Sequence, residues 1–259
     1  MTSPLRTMIR DLHRRRGRER RGLALAEGVR LVEEALDADL PLRGVAISPA
    51  LEGTTRGKAL KAALEQRGVR IEAVGDRELE ELADTEHPQG VVAVIEPRQW
   101  SLLDIAVEPG SAVLVLDGVQ DPGNVGTILR SALGLGAAGV IALKGTAELT
   151  NPKVVRGSMG ALFRLPAVPS DVDTYLGWAR ECDLETWVAA ADGTPIEPGA
   201  ARGHRAAVAL AVGNEGTGVS PALERVASRR VAIRLARGVE SLNVAIAAAI
   251  LLREVARVD

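Results

Sequence analysis

Five polar residues stand in glycine-rich surroundings where chemistry can be done: Asn124, Arg130, Glu215, Ser241 and Asn243. They lie in or just after three segments, each preceded by an apolar run of strand character. The first is Asp117-Gly-Val-Gln-Asp-Pro-Gly-Asn-Val-Gly126, and the second is Leu210-Ala-Val-Gly-Asn-Glu-Gly-Thr-Gly218. The third, Gly238-Val-Glu-Ser-Leu-Asn-Val244, enters the last helix. In open α/β sheets ligands gather beyond the carboxyl ends of the strands, where such loops lie. Gly213, Gly216 and Gly218 let backbone approach a ligand closely. Glu215 among them repels phosphate and suits hydrogen-bond donors, such as an amine or a sugar hydroxyl. Asn124 reads either as a helix N-cap or as a working residue, and Arg130 either as a surface cation or as a working one. Ser241 is expected to cap the last helix. Asn243, just inside it, is a poor helix former and so hints at a task of its own.

The elements that must carry these residues follow from hydrophobic period. Apolar runs at 112–116, 139–143, 186–191, 206–212 and 230–235 read as buried strands. Helices fit between them at 123–135, 152–160, 171–182 and 220–226, and a last helix runs from Ser241 to Arg257. Apolar strands alternating with helices mean a parallel sheet covered on both faces. The first hundred residues differ in style. Leu23 to Leu36 reads as a helix with a frayed start, Val45–Ile47 and Val69–Val74 as strands, Thr54 to Gln66 and Asp76 to Leu82 as helices. His87-Pro-Gln-Gly90 is a turn before the apolar strand Val91–Ile95. Two domains are expected, residues 1–97 and 110–259, joined by a linker at 98–109.

One match is a decoy. Gly134-Leu-Gly136-Ala-Ala-Gly139 fits the dinucleotide fingerprint, but it closes a helix and precedes a strand, the reverse of what a pyrophosphate site needs. The glycines are a helix C-cap and a tight turn. A nicotinamide-dependent enzyme is thereby disfavoured.

Composition narrows the classes further. The chain has 259 residues, 46% apolar and 25% charged, with a formal net charge of −2. Whole-chain disorder is excluded. The longest apolar stretch, Val244 to Leu252, is about half a membrane span. No signal-peptide pattern is present, which predicts a cytoplasmic protein. Cys182 is the only cysteine, which excludes internal disulfides, and with three scattered histidines no metal site is expected. The near-neutral total hides an asymmetry. The first thirty residues hold nine arginines against Asp11, Glu19 and Glu27, and the remainder is acidic. A basic arm on an acidic body suggests a polyanion partner, against the alternative of a solvated helix face in an arginine-rich chain. Aromatics make up only 2% of the chain, too few for a single-strand stacking platform.

Taken together, Asp121-Pro-Gly-Asn-Val-Gly-Thr-Ile-Leu-Arg-Ser-Ala132, Leu210-Ala-Val-Gly-Asn-Glu-Gly-Thr-Gly-Val-Ser220 and Ile233-Arg-Leu-Ala-Arg-Gly-Val-Glu-Ser-Leu-Asn-Val-Ala245 resemble the three motifs of the SpoU (TrmH) family of RNA ribose 2'-O-methyltransferases, in the SPOUT superfamily. Asn151-Pro-Lys-Val-Val-Arg-Gly-Ser-Met-Gly-Ala161 is similar to the segment between the first two. Leu25-Ala-Glu-Gly-Val-Arg30 and His87-Pro-Gln-Gly90 resemble the substrate-binding domain that precedes many catalytic domains of the family. Leu25 stands where the family often has an aromatic.

The resemblance implies a small ribosomal-protein-L30e-like α/β domain followed by a SPOUT α/β domain with a parallel sheet and a C-terminal trefoil knot. Pattern reasoning alone excludes knots. It implies S-adenosylmethionine as cofactor, held by backbone at Gly213, Ile233 and Leu242, with Ala190 near the adenine and Asn214 and Gly218 as further cofactor-binding residues. It implies a homodimer with the active site close to the subunit interface, and no metal. The reaction is an in-line displacement on a good leaving group, so positioning worth roughly 7–11 kcal/mol is the main task. Arg130 matches the family's key arginine. Guanidinium stays protonated below pH about 12 and accepts nothing, so a phosphate clamp that stabilises an alkoxide suits it better than a base. Asn124 would orient the nucleotide or Arg130, and Glu215 would accept from the ribose or hold an arginine. Ser241 and Asn243 would bind substrate or orient Glu215. Arg14, Arg15, Arg16, Arg18, Arg20, Arg21 and Arg156 are the expected RNA contacts, made to phosphates without reading sequence. Ribosomal RNA, 23S in particular, is the expected substrate, against a transfer RNA or a non-catalytic RNA-binding role.

Overall fold

The computed structural model describes residues 3–197 and 206–256. Arg257, the expected end of the last helix, lies outside them. The chain divides into two units. The first is made of the described residues up to Gln99 together with Thr150–Phe163, and the second of Trp100–Leu149 with the described residues from Arg164 on.

In chain order the first unit begins with α1 (Pro4–Leu12), α2 (Arg15–Arg21), β1 (Ala24–Glu27), α3 (Val29–Asp37) and β2 (Leu42–Ile47). It continues with α4 (Pro49–Glu52), α5 (Thr55–Gln66), β3 (Ile71–Ala73), α6 (Asp76–Leu82) and β4 (Val91–Ile95). The sheet order is β1-β4-β2-β3. β4 runs antiparallel to both β1 and β2, and β3 is parallel to β2. One face is sealed by Leu5, Ile9 and Leu12 of α1 with Leu79 and Leu82 of α6, while α3 packs against β1 and β4. Thr54 caps α5 by accepting from the Gly57 amide, as its position before the helix suggests.

Two expectations for this unit need correction. The helix expected from Leu23 is a strand up to Glu27, and the helix proper starts at Val29. Leu23 to Ala26 are all buried, and a run buried on both faces carries no period by which to tell strand from helix. Gly28, at φ +95°, turns the chain between the two. Arg18, expected on RNA, is only 4% exposed. Its guanidinium donates to the Leu12 and His13 carbonyls at the open end of α1, so it closes a helix terminus that would otherwise be unsatisfied.

The second unit comprises β5 (Ala112–Asp117), α7 (Pro122–Gly134) and β6 (Gly139–Leu143), after which the chain enters α8 (Pro152–Ser158) in the first unit. It resumes with β7 (Ala167–Ser170), α9 (Val172–Glu181), β8 (Glu185–Pro195) and β9 (Val208–Gly213), and ends with α10 (Pro221–Val226), β10 (Arg229–Ala232) and α11 (Val244–Val255). Its sheet runs β10-β8-β9-β5-β6-β7, parallel throughout. Side chains alternate across it. Val113, Val115, Ile141, Val188, Ala209 and Ala211 share one core with Tyr175 and Trp178 of α9 and Leu223 of α10. The opposite face carries α11, which packs on β5, β9 and α7. Both faces are covered, as continuous apolar strands require. β7 is an edge strand that hydrophobic period does not reveal, because Pro169 and Ser170 interrupt it.

Strand order reverses at β5, with β6 and β7 on one side and β9, β8 and β10 on the other. The loops leaving β5 and β9 therefore flank the switch point, where α/β sheets hold ligands. Asp117 and Gly213 are register partners there.

Below the sheet surface, the Tyr175 hydroxyl bonds the Thr186 hydroxyl at 2.9 Å. Burial pushes the Tyr175 phenol up to about 12, and the Thr186 bond opposes the shift only in part. The raised pKa means that the folded state keeps its proton longer than the unfolded chain. Stability is thus complete below pH about 10 and is lost as pH rises toward 12. Tyr175→Phe is expected to cost about 1–2 kcal/mol by urea unfolding at neutral pH, and to remove this part of the alkaline decline.

Candidate active site

A cavity of about 650 Å³ opens where the strands of the second unit end. Its walls are Ala189–Ala191 of β8, Val212 and Gly213 of β9, the residues following β10, and the approach to α11. Ala190, Gly213, Asn214, Gly218, Ile233 and Leu242 all line it, as do Glu215, Ser241 and Asn243.

The loop after β9 is folded on itself. The Asn214 amide donates to the Gly218 carbonyl, and the Gly218 amide returns the bond. A Cβ on Gly213 would sit 2.1 Å from the Gly218 carbonyl carbon, so no side chain fits there. The Asn214 amide oxygen accepts from the Gly216 and Thr217 amides, and its Nδ2 donates to the Gly118 carbonyl at 3.2 Å. Asn214 thus shapes its own loop and ties it to the loop after β5. A second tie runs from the Ser220 amide to the Asp117 carboxylate at 2.6 Å.

Three loops meet through a run of side chains. Asn124 Nδ2 donates to Glu215 Oε1 at 2.6 Å, and Asn243 Nδ2 donates to Asn124 Oδ1 at 2.9 Å. Asn243 is itself fixed, since its Oδ1 accepts from the Ala245 and Ile246 amides. It is therefore the N-cap of α11, the place expected for Ser241. The cap of α7 is Asp121, which accepts from the Asn124 amide. Freed from capping, the Asn124 side chain bridges Asn243 and Glu215.

Arg130 stands apart. It is exposed on α7, six residues beyond Asn124. At about 100° per residue it faces a different side of the helix. It does not line the cavity, and it has no ion pair among the described residues.

Glu215 and Glu240 are the only charged residues among the described lining. Apolar walls, backbone groups at strand ends and two carboxylates suit a ligand with a flat apolar body and positive charge. Glu240 was not singled out from sequence, although it adjoins Ser241 in the third segment. The backbone-contact role expected at Gly213, Ile233 and Leu242 is compatible with their places in the wall.

The arm arginines belong to the first unit. Arg20 and Arg21 share the Asp11 carboxylate, each at 2.7 Å. These bonds, chiefly that from Arg21, hold its pKa below the ordinary aspartate value. Arg15 pairs with Glu19 one turn on. Arg14 and Arg16 are exposed without an ion pair among the described residues. Arg156 donates to Asp84 at 3.0 Å, and Arg18 is buried as described above.

Comparison with known proteins gives two family matches: the SpoU rRNA Methylase family over residues 111–253 and the MRM3-like substrate binding domain over residues 7–93. The chain is 32% identical over 245 residues to the 23S rRNA (guanosine(2553)-2'-O)-methyltransferase RlmP of Bacillus subtilis, covering 93% of this chain and 92% of that one. It is 33% identical to the 23S rRNA (uridine(2479)-2'-O)-methyltransferase of Streptomyces viridochromogenes, covering 95% and 86%. Among solved structures it is similar to the AdoMet-bound rRNA methyltransferase from Sinorhizobium meliloti, with a TM-score of 0.85, 30% identity and coverage of 98% and 95%.

The double role of Asn243 separates by substitution. Asn243→Ala should lower stability by about 1 kcal/mol through loss of the cap. Asn243→Asp keeps the capping oxygen and should unfold at or near the wild-type urea midpoint, while removing the donor to Asn124.

Proposed function

The chain belongs to the SpoU rRNA methylase family, and from that premise we propose that it methylates a ribose 2'-hydroxyl of 23S ribosomal RNA with S-adenosylmethionine. The observation that carries the reading is the cavity itself. The second and third segments that resemble the family motifs supply most of its lining, and Asn124 of the first joins them by bonding Glu215 and Asn243.

The residues present fit the cofactor. S-adenosylmethionine supplies a methyl group on a positively charged sulfur, with an adenine at one end. Glu215 and Glu240 favour that charge, and the small side chains Ala189–Ala191 leave room for a flat ring. Gly213 offers unobstructed backbone, and Ile233 and Leu242 add backbone contacts from the other side. Asn124 and Asn243 hold the Glu215 carboxylate so that it can accept from the ribose hydroxyl. Ser241 lies at the same mouth as a further hydrogen-bonding group.

Arg130 acts as a phosphate clamp, whose charge also stabilises the alkoxide as the hydroxyl loses its proton. Its place outside the cavity of its own chain supports a homodimer, with the active site close to the interface. The exposed Ile246 and Ile250 of α11 and Leu133 of α7 supply an apolar face for such pairing. The C-terminal segment forms a trefoil knot in this reading, which is supported by Ile233, Leu242 and Asn243 lining one cavity with Gly213 and Gly218 of the loop after β9. The first unit is an L30e-like RNA-binding domain. Its mixed sheet with helices on both faces supports this, and Arg14, Arg16 and Arg156 are its expected phosphate contacts. No helix among the described residues is long and apolar enough to cross a membrane. A cytoplasmic location belongs to the same reading.

The test is transfer of labelled methyl from S-adenosylmethionine to unmodified 23S ribosomal RNA and, separately, to transfer RNA. Label in an alkali-resistant dinucleotide from the ribosomal RNA is expected. Label confined to transfer RNA would overturn the substrate, and no label in free RNA or ribosomal particles would overturn the activity. Arg130→Ala should lower kcat by about 100-fold or more and leave the cofactor Kd unchanged by calorimetry. Full activity in that variant would remove Arg130 from the mechanism.

A further inference from the structure

The first unit holds a cavity of about 680 Å³, built independently of the catalytic segments. Its floor is apolar, with Val29, Leu31, Pro88 and Met159. Three arginines, Arg30, Arg56 and Arg156, stand among its lining with His87. Glu27 is the only carboxylate among the described lining residues. Its oxygens are engaged by the Asp84 and Thr85 amides and by the Thr85 hydroxyl.

Two of the cations are held in place beforehand. Glu33 grips the Arg56 guanidinium through both carboxylate oxygens, and Arg156 is held by Asp84 at 3.0 Å with Glu27 at 4.0 Å. Arg30 is exposed and has no ion pair among the described residues. A positioned guanidinium loses less rotamer freedom when it meets an anion. Gln89 is also fixed. Its Oε1 accepts from the Val29 amide at 3.0 Å, which leaves its Nε2 donors without a partner among the described residues. Met159 ends α8 in the left-handed region, at φ +49°. That conformation costs a non-glycine residue about 1–2 kcal/mol, and such strain tends to be retained at ligand sites. The next residue, Gly160, lies so close to Glu34 that an added Cβ would be 2.8 Å from its Cβ, so the turn that delivers Met159 is fixed.

A ligand matched to this cavity has flat apolar faces, acceptors on its edge and anionic groups on either side. We propose that the cavity takes one unpaired nucleotide of the ribosomal RNA substrate. The base lies on the apolar floor with an edge acceptor toward Gln89, and the adjoining phosphates meet Arg30, Arg56 and Arg156. A base stacked in a duplex cannot enter, so the site selects a bulge or loop. This inference rests on the ribosomal RNA reading above and names the part of the substrate that the first unit recognises.

The test compares affinity for in vitro transcribed 23S ribosomal RNA, by filter binding, among the wild type, Met159→Gly, Arg30→Glu and Arg77→Glu. Arg77 is an exposed arginine of the same unit outside the cavity. Met159→Gly removes the floor while relieving the positive φ, so its melting temperature should equal or exceed that of the wild type. Both cavity variants should bind at least fivefold more weakly, and Arg77→Glu should change affinity less than twofold. Loss in Arg30→Glu with wild-type binding by Met159→Gly would overturn the base pocket. Loss equal in Arg30→Glu and Arg77→Glu would reduce the site to general charge. If the wild type methylates 23S ribosomal RNA yet both cavity variants bind normally, this inference alone falls. If the wild type neither binds nor methylates that RNA, both readings fall.

Discussion

The hydrogen bonds from Asn243 to Asn124 and from Asn124 to Glu215 join residues 119 and 91 positions apart in the chain. Each amide has a fixed partner on both sides, so the orientation of every member depends on the next. The run is anchored at the start of α11, where two backbone amides need an acceptor in any case. The Glu215 carboxylate is thereby tied to a capped helix start. Serial amides also transmit polarity. The N-terminal end of α11 polarises the run through the amides that Asn243 caps.

The two cavities have opposite electrical character. The charged lining at the strand ends is two carboxylates, and that in the first unit is three arginines with one carboxylate, Glu27. A near-neutral total charge conceals this division, as it conceals the basic arm. Much of that arm is spent internally, because Asp11 takes Arg20 and Arg21, and Arg18 closes α1. Counting charges along a sequence therefore overstates what a surface offers to a polyanion.

The second unit was largely legible from its sequence because its strands are buried on both faces and read as unbroken apolar runs. Expected and observed strands agree closely at 112–117, 139–143 and 208–213. The same property misled at Leu23–Ala26, where an apolar run beside a helix reads as more helix. The amphipathic α1, with Leu5, Ile9 and Leu12 on one face, was hidden by the arginines around it. Capping shows a finer limit. Ser241 and Asn243 are both good caps, and only packing of the approach to α11 decides between them. The resemblance offered Asn243 as a residue that orients Glu215, but the link through Asn124 was not legible, since it depends on β5 and β9 being neighbours while their loops are far apart in the chain. Met159 and Gly160 gave no signal either, because a positive φ at methionine follows no compositional rule.

The first unit is made from two stretches of chain, the second of which, Thr150–Phe163, emerges only after two strands and a helix of the second unit. During synthesis from the N-terminus, α8 therefore reaches β1 late. Until then the early stretch lacks one of its walls, and β1 faces solvent where α8 will pack. A gene segment coding for the first hundred residues alone would not encode the finished unit. Recombination that exchanged front ends between relatives would have to preserve a matching excursion in the back half. The last element of the front unit is thus encoded inside the back half of the gene.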